Sequence, residues 1–369
     1  QAAYRAKRAG FDAVEIHGGH GYLLAQFMSP LTNRRTDEFG GTLDNRMRFP
    51  LAVVRAVRAA VGSDYPVFLR FSADEFVEGG RTQAESAAMA TMFRDAGVDI
   101  LHVTAGNGYS LHAQIEPMPY EEGWRVYLAA EIRRATGIPV IAVGVIRTPE
   151  FAERVIRDGL ADMVAVGRGH IADPEWCNKA ASGRADEIRR CISCNVGCAG
   201  SRLFGDVPVR CAVNPLAGRE WLFRDAVGVD AAAVRHTKRV VVVGGGPAGL
   251  TAAIHARQAG HQVTLFEEAK STGGQLNLAA VPPGKSKIAW FAQYLNAVAV
   301  RAGVEIRCGV TVDAKVLAEI DPDAVVVATG SRPAIPPIHG LAQALSVCAW
   351  TAHDVLAGKA VPSGRRIAV

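Results

Sequence analysis

The chain has 369 residues, long enough for two domains with separate cores. Its formal charge of +5 is modest, and Lys and Arg are scattered rather than gathered into an arm, which argues against nucleic acid or an anionic membrane surface and for small-molecule chemistry. No apolar run approaches a membrane span, and residues 1–20 lack the charged start and apolar stretch of a secretory signal, so the cytoplasm is the expected compartment.

The sequence opens at Gln1 inside a helical pattern, so an incomplete start is expected. From Ala13 to about Gly183, β-branched runs at 13–17, 66–71, 99–104, 139–143 and 162–166 alternate with helix-period stretches near 46–61, 82–96, 124–136 and 149–159. Gly62, Gly97, Gly137 and Gly159 close those helices. The alternation predicts a parallel α/β sheet over 1–185. A complete eight-stranded barrel takes about 250 residues, so these strands suit the last five of a (β/α)8 TIM barrel whose first three are missing; a doubly wound sheet is the alternative.

Residues 186–237 carry neither period and read as a loop-rich connector. Here Cys191, Cys194, Cys198 and Cys211 are bunched, whereas Cys177, Cys308 and Cys348 are isolated, a usage closer to metal binding than to a disulfide framework. Four thiols at Cys-x2-Cys-x3-Cys-x12-Cys spacing suit one zinc ion or an iron-sulfur cluster, and spacing alone does not choose.

From Lys238 a new α/β unit opens with a strand at 239–243, the turn Gly244-x-Gly246-x-x-Gly249, a helix to about Ala259 and a strand at 262–267 ending on Glu267. Glycines between strand and helix, with an acidic residue some twenty positions on, form the dinucleotide fingerprint: the helix amino terminus takes pyrophosphate and Glu267 the ribose hydroxyls. Another apolar strand spans 324–330. Residues Arg365 to Val369 repeat the flavour of 239–243, so the Rossmann-like domain over 238–369 is expected to continue.

Near the start lies Glu15-Ile16-His17-Gly18-Gly19-His20-Gly21-Tyr22, followed by Gln26-Phe27, Ser29-Pro30, Asn33, Arg35, Asp37, Gly40-Gly41, Asn45 and Arg46. This segment resembles the old yellow enzyme flavin reductases. The layout of the whole chain resembles their larger branch, which contains 2,4-dienoyl-CoA reductase, enoate reductases and trimethylamine dehydrogenase.

His17 ends a strand, with His20 and Tyr22 in the Gly-rich turn after it, so all three can face the carboxyl end of a barrel, where such enzymes keep their sites. Two imidazole N–H groups converging on a carbonyl oxygen would stabilise a developing enolate, each worth ~3 kcal/mol of barrier, and Tyr22 could protonate the α-carbon. The blander alternative has the histidines capping the strand end and Tyr22 packing. The resemblance further implies that Arg70 meets the pyrimidine edge of FMN and that Gly144, Gly167 and Arg168 hold its phosphate. It implies that the four cysteines ligate a [4Fe-4S] cluster, and that Gly273, Gly274, Gln275, Ala328, Thr329 and Gly330 are further flavin-binding points. FAD is expected in that domain, with ADP alone in the amine dehydrogenase branch. His112 lies near a histidine that assists the proton donor in dienoyl-CoA reductases, although a surface position is the simpler expectation.

The expected function is therefore reduction of an unsaturated carbonyl or acyl-CoA substrate with NAD(P)H through FAD, the cluster and FMN. A homo-oligomer is compatible with it. Two rivals stand beside it: an amine dehydrogenase or demethylase, whose trimethylamine branch places tyrosine where His17 stands, and a nucleotide-binding fragment without catalysis. Because an open piece of barrel leaves an unpaired edge, the chain alone is expected to hold FMN poorly.

Overall fold

A computed structural model describes residues 1–205, 207–222, 236–345 and 347–362. Residues 223–235 of the connector and the strand-like stretch Arg365–Val369 lie outside the described residues. The chain divides into two compact units, Gln1–Ala212 and Val213–Val369.

In the first unit five parallel strands lie in sequential order: β1 Val14–Gly18, β2 Val67–Ser72, β3 Ile100–Thr104, β4 Val140–Val143 and β5 Met163–Ala165. Long helices Leu43–Val61, Gln83–Asp95, Val126–Thr136 and Pro149–Arg157 connect them. Threonines start three of these: the side chains of Thr42, Thr82 and Thr148 each accept a backbone N–H of the first turn. Thr42 explains why the first helix begins ahead of the expected 46, since a cap belongs to no apolar period.

Strand alternation separates two faces. Leu69, Phe71, Leu101, Val103, Val140 and Ala142 are buried against Met47, Phe93 and Ile132 of the helices. The opposite face carries Glu15 and His17 of β1, Arg70 and Ser72 of β2, and His102 and Thr104 of β3. Register aligns His17 with Arg70 and Arg70 with His102. The polar side chains therefore share one face because they occupy the positions the helices leave uncovered. This is a TIM-barrel-like arrangement in its last five strands, and the doubly wound alternative does not hold for it: strand order runs monotonically without reversal.

The connector is more structured than its composition suggested. A wide turn at Val196–Gly200 runs into the short helix Ser201–Phe204, and the cysteine segment through Ala212 belongs to the first compact unit.

The second unit is a parallel sheet in the order β8-β7-β6-β9, with β6 Arg239–Val243, β7 Gln262–Glu267, β8 Glu305–Cys308 and β9 Ala324–Val327. Helices Pro247–Gln258 and Lys287–Arg301 pack Leu250, Ala253, Ile254, Leu295 and Ala299 onto Val240, Val242 and Leu265. Read in chain order this is 3-2-1-4, whose reversal falls between β6 and β9, the place where doubly wound sheets bind nucleotides.

Candidate functional site

At the carboxyl end of β1 the chain turns tightly. A Cβ on Gly19 would stand 3.2 Å from Thr104 and 3.3 Å from Ser72, and His20 takes a left-handed backbone at φ 60. The His20 backbone N–H donates to Ser72 Oγ at 3.1 Å, and its Nε2 lies 2.9 Å from Thr104 Oγ1. The His17 ring centre is 5.2 Å from that of His20 and 5.3 Å from that of Tyr22, so the structure brings these three expected residues together. Tyr22 is 60% exposed at the start of helix Leu23–Met28. Burial first, then the nearby Arg70 charge, lowers His20 to about 3 and pushes His17 down as well. Both rings are thus neutral at pH 7. His102 lies beside Arg70, its Nδ1 2.8 Å from a Glu15 oxygen.

A cavity of about 430 Å³ lies along the carboxyl ends of β2, β4 and β5, lined by Arg70, Gly144, Gly167 and Arg168 together with Arg125, Arg147, Cys191 and Cys198. The four expected flavin residues of this unit therefore share one space. Arg70 Nε is buried without a hydrogen-bond partner among the described residues, an orphan donor that a ligand acceptor would satisfy. Gly144 has φ 135, and a Cβ there would come within 2.4 Å of Arg125 Nε. Gly167 faces open space. These features fit an anionic, phosphate-bearing group.

Arg168 is not free to point outward alone. Its Nη2 donates to Glu116 Oε2 at 2.6 Å and its Nη1 to Asn195 Oδ1 at 2.7 Å. Glu116, 2% exposed, also pairs with Arg125 at 3.1 Å and accepts from Trp124 Nε1 at 3.1 Å. Burial lowers Arg125 to about 10 against the opposing pull of Glu116. Arg147 donates to Cys191 O at 3.2 Å and Ser193 Oγ at 2.9 Å. Sequence reasoning missed Arg125, Glu116, Arg147, Asn195 and Thr104: they lie on loops and strand ends where no period marks them, and the one available signal was Asn195 inside the cysteine motif.

Cys191 and Cys198 face the cavity. Burial raises the Cys194 thiol, and neighbouring Cys191 and Cys198 raise it further against an opposing backbone hydrogen bond. Arg210 N–H donates to Gly197 O at 2.7 Å, and a Cβ on Gly197 would lie 3.1 Å from Cys211 N, so the fourth cysteine's backbone adjoins the loop of the other three. Among the described residues no three His, Cys, Asp or Glu side chains gather closely enough to hold a metal ion. His112 is exposed, its ring centre 6.4 Å from that of Tyr120.

In the second unit every expected residue stands at the carboxyl ends of β6, β7 and β9. Gly244 has φ 110, and a Cβ on it would be 2.3 Å from Ala328 O and 3.1 Å from Thr329 N. Gly246 opens helix Pro247–Gln258, and a Cβ on it would meet no atom within 4 Å, while a Cβ on Gly249 would meet Gly244 O at 1.9 Å. The Glu267 carboxylate accepts from Gly245 N at 2.6 Å and Ala269 N at 2.8 Å. Gly273 N–H donates to Gly245 O at 2.8 Å, and Gly274, at φ 53, lies against Gly246. Gln275 Nε2 donates to Ser331 O at 2.7 Å beside Gly330. An exposed helix amino terminus framed by glycine backbone and a buried carboxylate fits a dinucleotide.

The first unit thus pairs a barrel-type sheet with a cationic cavity at its carboxyl ends, and the second is a doubly wound sheet with a glycine-framed helix amino terminus. Residues 1–187 match the NADH:flavin oxidoreductase / NADH oxidase family and residues 238–369 match pyridine nucleotide-disulphide oxidoreductase. The chain belongs to the NADH:flavin oxidoreductase / NADH oxidase family. It is 56% identical to an NADH oxidase of Thermoanaerobacter brockii over 97% of this chain and 54% of that protein. It is 36% identical to a cinnamate reductase of Clostridium sporogenes over 96% of this chain and 54% of that protein. The solved structure of a 2-naphthoyl-CoA reductase complex superposes with a TM-score of 0.91 at 32% identity, covering 98% of this chain and 54% of that one. Amine dehydrogenases also stand among the matches. The chain thus spans about half the length of the curated relatives it matches. Among the described residues no helix is long and apolar enough to cross a membrane.

Proposed function

We propose that the whole protein reduces the carbon-carbon double bond of an α,β-unsaturated carbonyl or acyl-CoA substrate at the expense of NAD(P)H. The observation that carries this reading is the triangle of His17, His20 and Tyr22 rings at the mouth of β1. With its pKa pushed down to about 3, chiefly by burial, the neutral His20 ring carries a single N–H, and that N–H can be offered to a carbonyl oxygen. If Thr104 donates to Nε2, the proton sits on Nδ1, so this hydroxyl sets the tautomer. His17 supplies the second donor. One such donor is typically worth ~3 kcal/mol of barrier. Tyr22, exposed and in ring contact with His17, is positioned to deliver a proton to the α-carbon.

Arg70, Gly144, Gly167 and Arg168 would hold FMN, with the orphaned Arg70 Nε meeting a ring acceptor. When bound there, FMN would supply hydride chemistry toward the β-carbon. Gly244, Gly246, Gly249, Glu267, Gly274, Gln275, Thr329 and Gly330 would hold FAD, or ADP alone. Cys191, Cys194, Cys198 and Cys211 would hold a [4Fe-4S] cluster. Four thiols at this spacing suit either zinc or a cluster, and the resemblance to the dienoyl-CoA reductase branch is what favours the multi-iron centre.

The amine dehydrogenases among the relatives support a second reading, amine oxidation; His17 weighs against its trimethylamine form, as a second imidazole serves an oxyanion rather than a cation. Anaerobic assays of the whole protein with enoates, dienoyl thioesters and methylated amines separate the two. Enoate-dependent NAD(P)H oxidation is expected, and amine oxidation without any enoate turnover overturns the proposal.

A further inference from the structure

Between Cys194 and Cys198 the side chain of Asn195 reaches out of the cysteine loop and into the cationic cavity's wall. Its Oδ1 accepts from Arg168 Nη1 at 2.7 Å, while its Nδ2 donates to the carbonyl oxygens of Glu116 at 3.1 Å and Ile115 at 3.3 Å. Arg168 Nη1 shares the same Glu116 carbonyl at 2.8 Å. One planar amide therefore ties three things together: the guanidinium after β5, the backbone of the segment after β3 and the cysteine loop itself. Its backbone is left-handed at φ 58, a conformation asparagine tolerates better than most residues, and Gly200 N–H donates to its carbonyl at 2.7 Å. Both ends of the amide are used, so neither Asp, which lacks the donor, nor an apolar residue reproduces the link.

We propose that Asn195 is a positioning residue that couples the cysteine loop to the phosphate end of the flavin site by fixing the Arg168 guanidinium. The inference rests on the reading that Arg168 meets the flavin phosphate. Left with Glu116 alone, Arg168 keeps its ion pair but loses the contact that sets the angle of its fork, and bidentate recognition of a phosphate depends on that angle. The effect is confined to the phosphate and does not extend to the flavin ring.

The test uses the deflavinated whole protein and compares binding of FMN with that of riboflavin, which lacks the phosphate. Asn195→Gly removes the amide while the backbone remains comfortable at φ 58. It is expected to weaken FMN by about tenfold, to leave riboflavin within about twofold, and to leave iron content at the parent level. Arg168→Ala weakens FMN on its own, and adding Asn195→Gly to it then has little further effect, as coupled residues require. Equal weakening of FMN and riboflavin, additive losses, or loss of iron in Asn195→Gly overturns the proposal in favour of a purely structural loop residue. If Arg168→Ala itself leaves FMN binding intact, the flavin-phosphate reading fails instead, and the two failures are distinguishable.

Discussion

Two glycines three residues apart in one motif should fail in opposite ways when each is replaced by alanine. A Cβ on Gly249 would lie 1.9 Å from Gly244 O and 3.3 Å from Ala328 Cβ. Gly244 cannot give way, because its N–H is held by Phe266 O at 2.8 Å and Ala328 O already fills its own Cβ position. Helix Pro247–Gln258 must instead retreat by about 1.5 Å to reach ordinary contact, lifting Leu250 and Ile254 off the sheet. Overpacking of this kind costs ~3 kcal/mol, the upper end of its usual range, which in a unit of this size lowers Tm by roughly 6–12 °C. Gly246 is different: its φ of −72 and ψ of −179 suit any residue and no atom lies within 4 Å of its would-be Cβ. Gly246→Ala should therefore cost about 1 kcal/mol or less in stability yet place a methyl where the pyrophosphate approaches the helix. The assay is thermal unfolding followed by circular dichroism, with FAD retention measured after gel filtration. Gly249→Ala melting with the parent, or Gly246→Ala retaining FAD as the parent does, refutes the reasoning.

Tyr22→Phe should slow reoxidation of the reduced flavin by an enoate by ~100-fold or more with FMN content unchanged; stopped-flow traces matching the parent remove Tyr22 from the mechanism. Anaerobically prepared protein should hold about four irons per chain, and stoichiometric zinc without iron contradicts the cluster. Burial, then the Arg70 charge, lowers His20 from the ordinary 6.5 to about 3 in the folded chain. Its pKa is depressed, so between those values the unfolded chain binds a proton that the folded one does not, and stability is lost as pH falls below about 6.5, by up to ~1.4 kcal/mol per pH unit. His20→Asn should flatten that slope in acid-unfolding curves; an unchanged slope means His20 is protonated without penalty.

The regular parts of the fold were legible because periodicity reports burial. All five strands of the first unit sit within a residue or two of their apolar runs, and Gly137 ends its helix in the left-handed conformation at φ 70. Strand β8, Glu305–Cys308, was not legible: at the sheet edge its alternation is weak and Glu305, Arg307 and Cys308 are exposed. The first constellation could be read because its glycines announce the turn that His20 must make. Val145 gave no such notice. It is a β-branched residue held at φ 55, buried in the cavity wall just after Gly144, where tertiary packing overrides the steric preference a sequence reader would assume. The same holds for Ser193 and Asn195, whose left-handed backbones shape the cysteine loop. Buried charge was the hardest to see, since Glu116 and Arg125 become partners only when distant loops meet.

That charge has a consequence for the flavin-free protein. Among the described residues four arginines, Arg70, Arg125, Arg147 and Arg168, line the cavity with one acidic residue, Glu116, which leaves three positive charges in excess, four minus one. Burial presses Arg70, Arg125 and Arg147 toward lower pKa, the sign of cations held at a cost. A phosphate group carries a charge of roughly −2 near neutral pH, close to what the cavity lacks, so it should lower that cost while leaving Glu116 paired. Inorganic phosphate should accordingly stabilise deflavinated protein more than chloride does at equal ionic strength. At a concentration one hundred times its dissociation constant the gain is ~2.7 kcal/mol, and the effect should vanish once FMN is restored, because both occupy the same cations. Melting curves in phosphate and chloride, with and without FMN, measure this. A phosphate effect of the same size in the flavin-loaded protein would place the anion elsewhere, and no effect in the deflavinated protein would mean that Glu116 already balances the cavity.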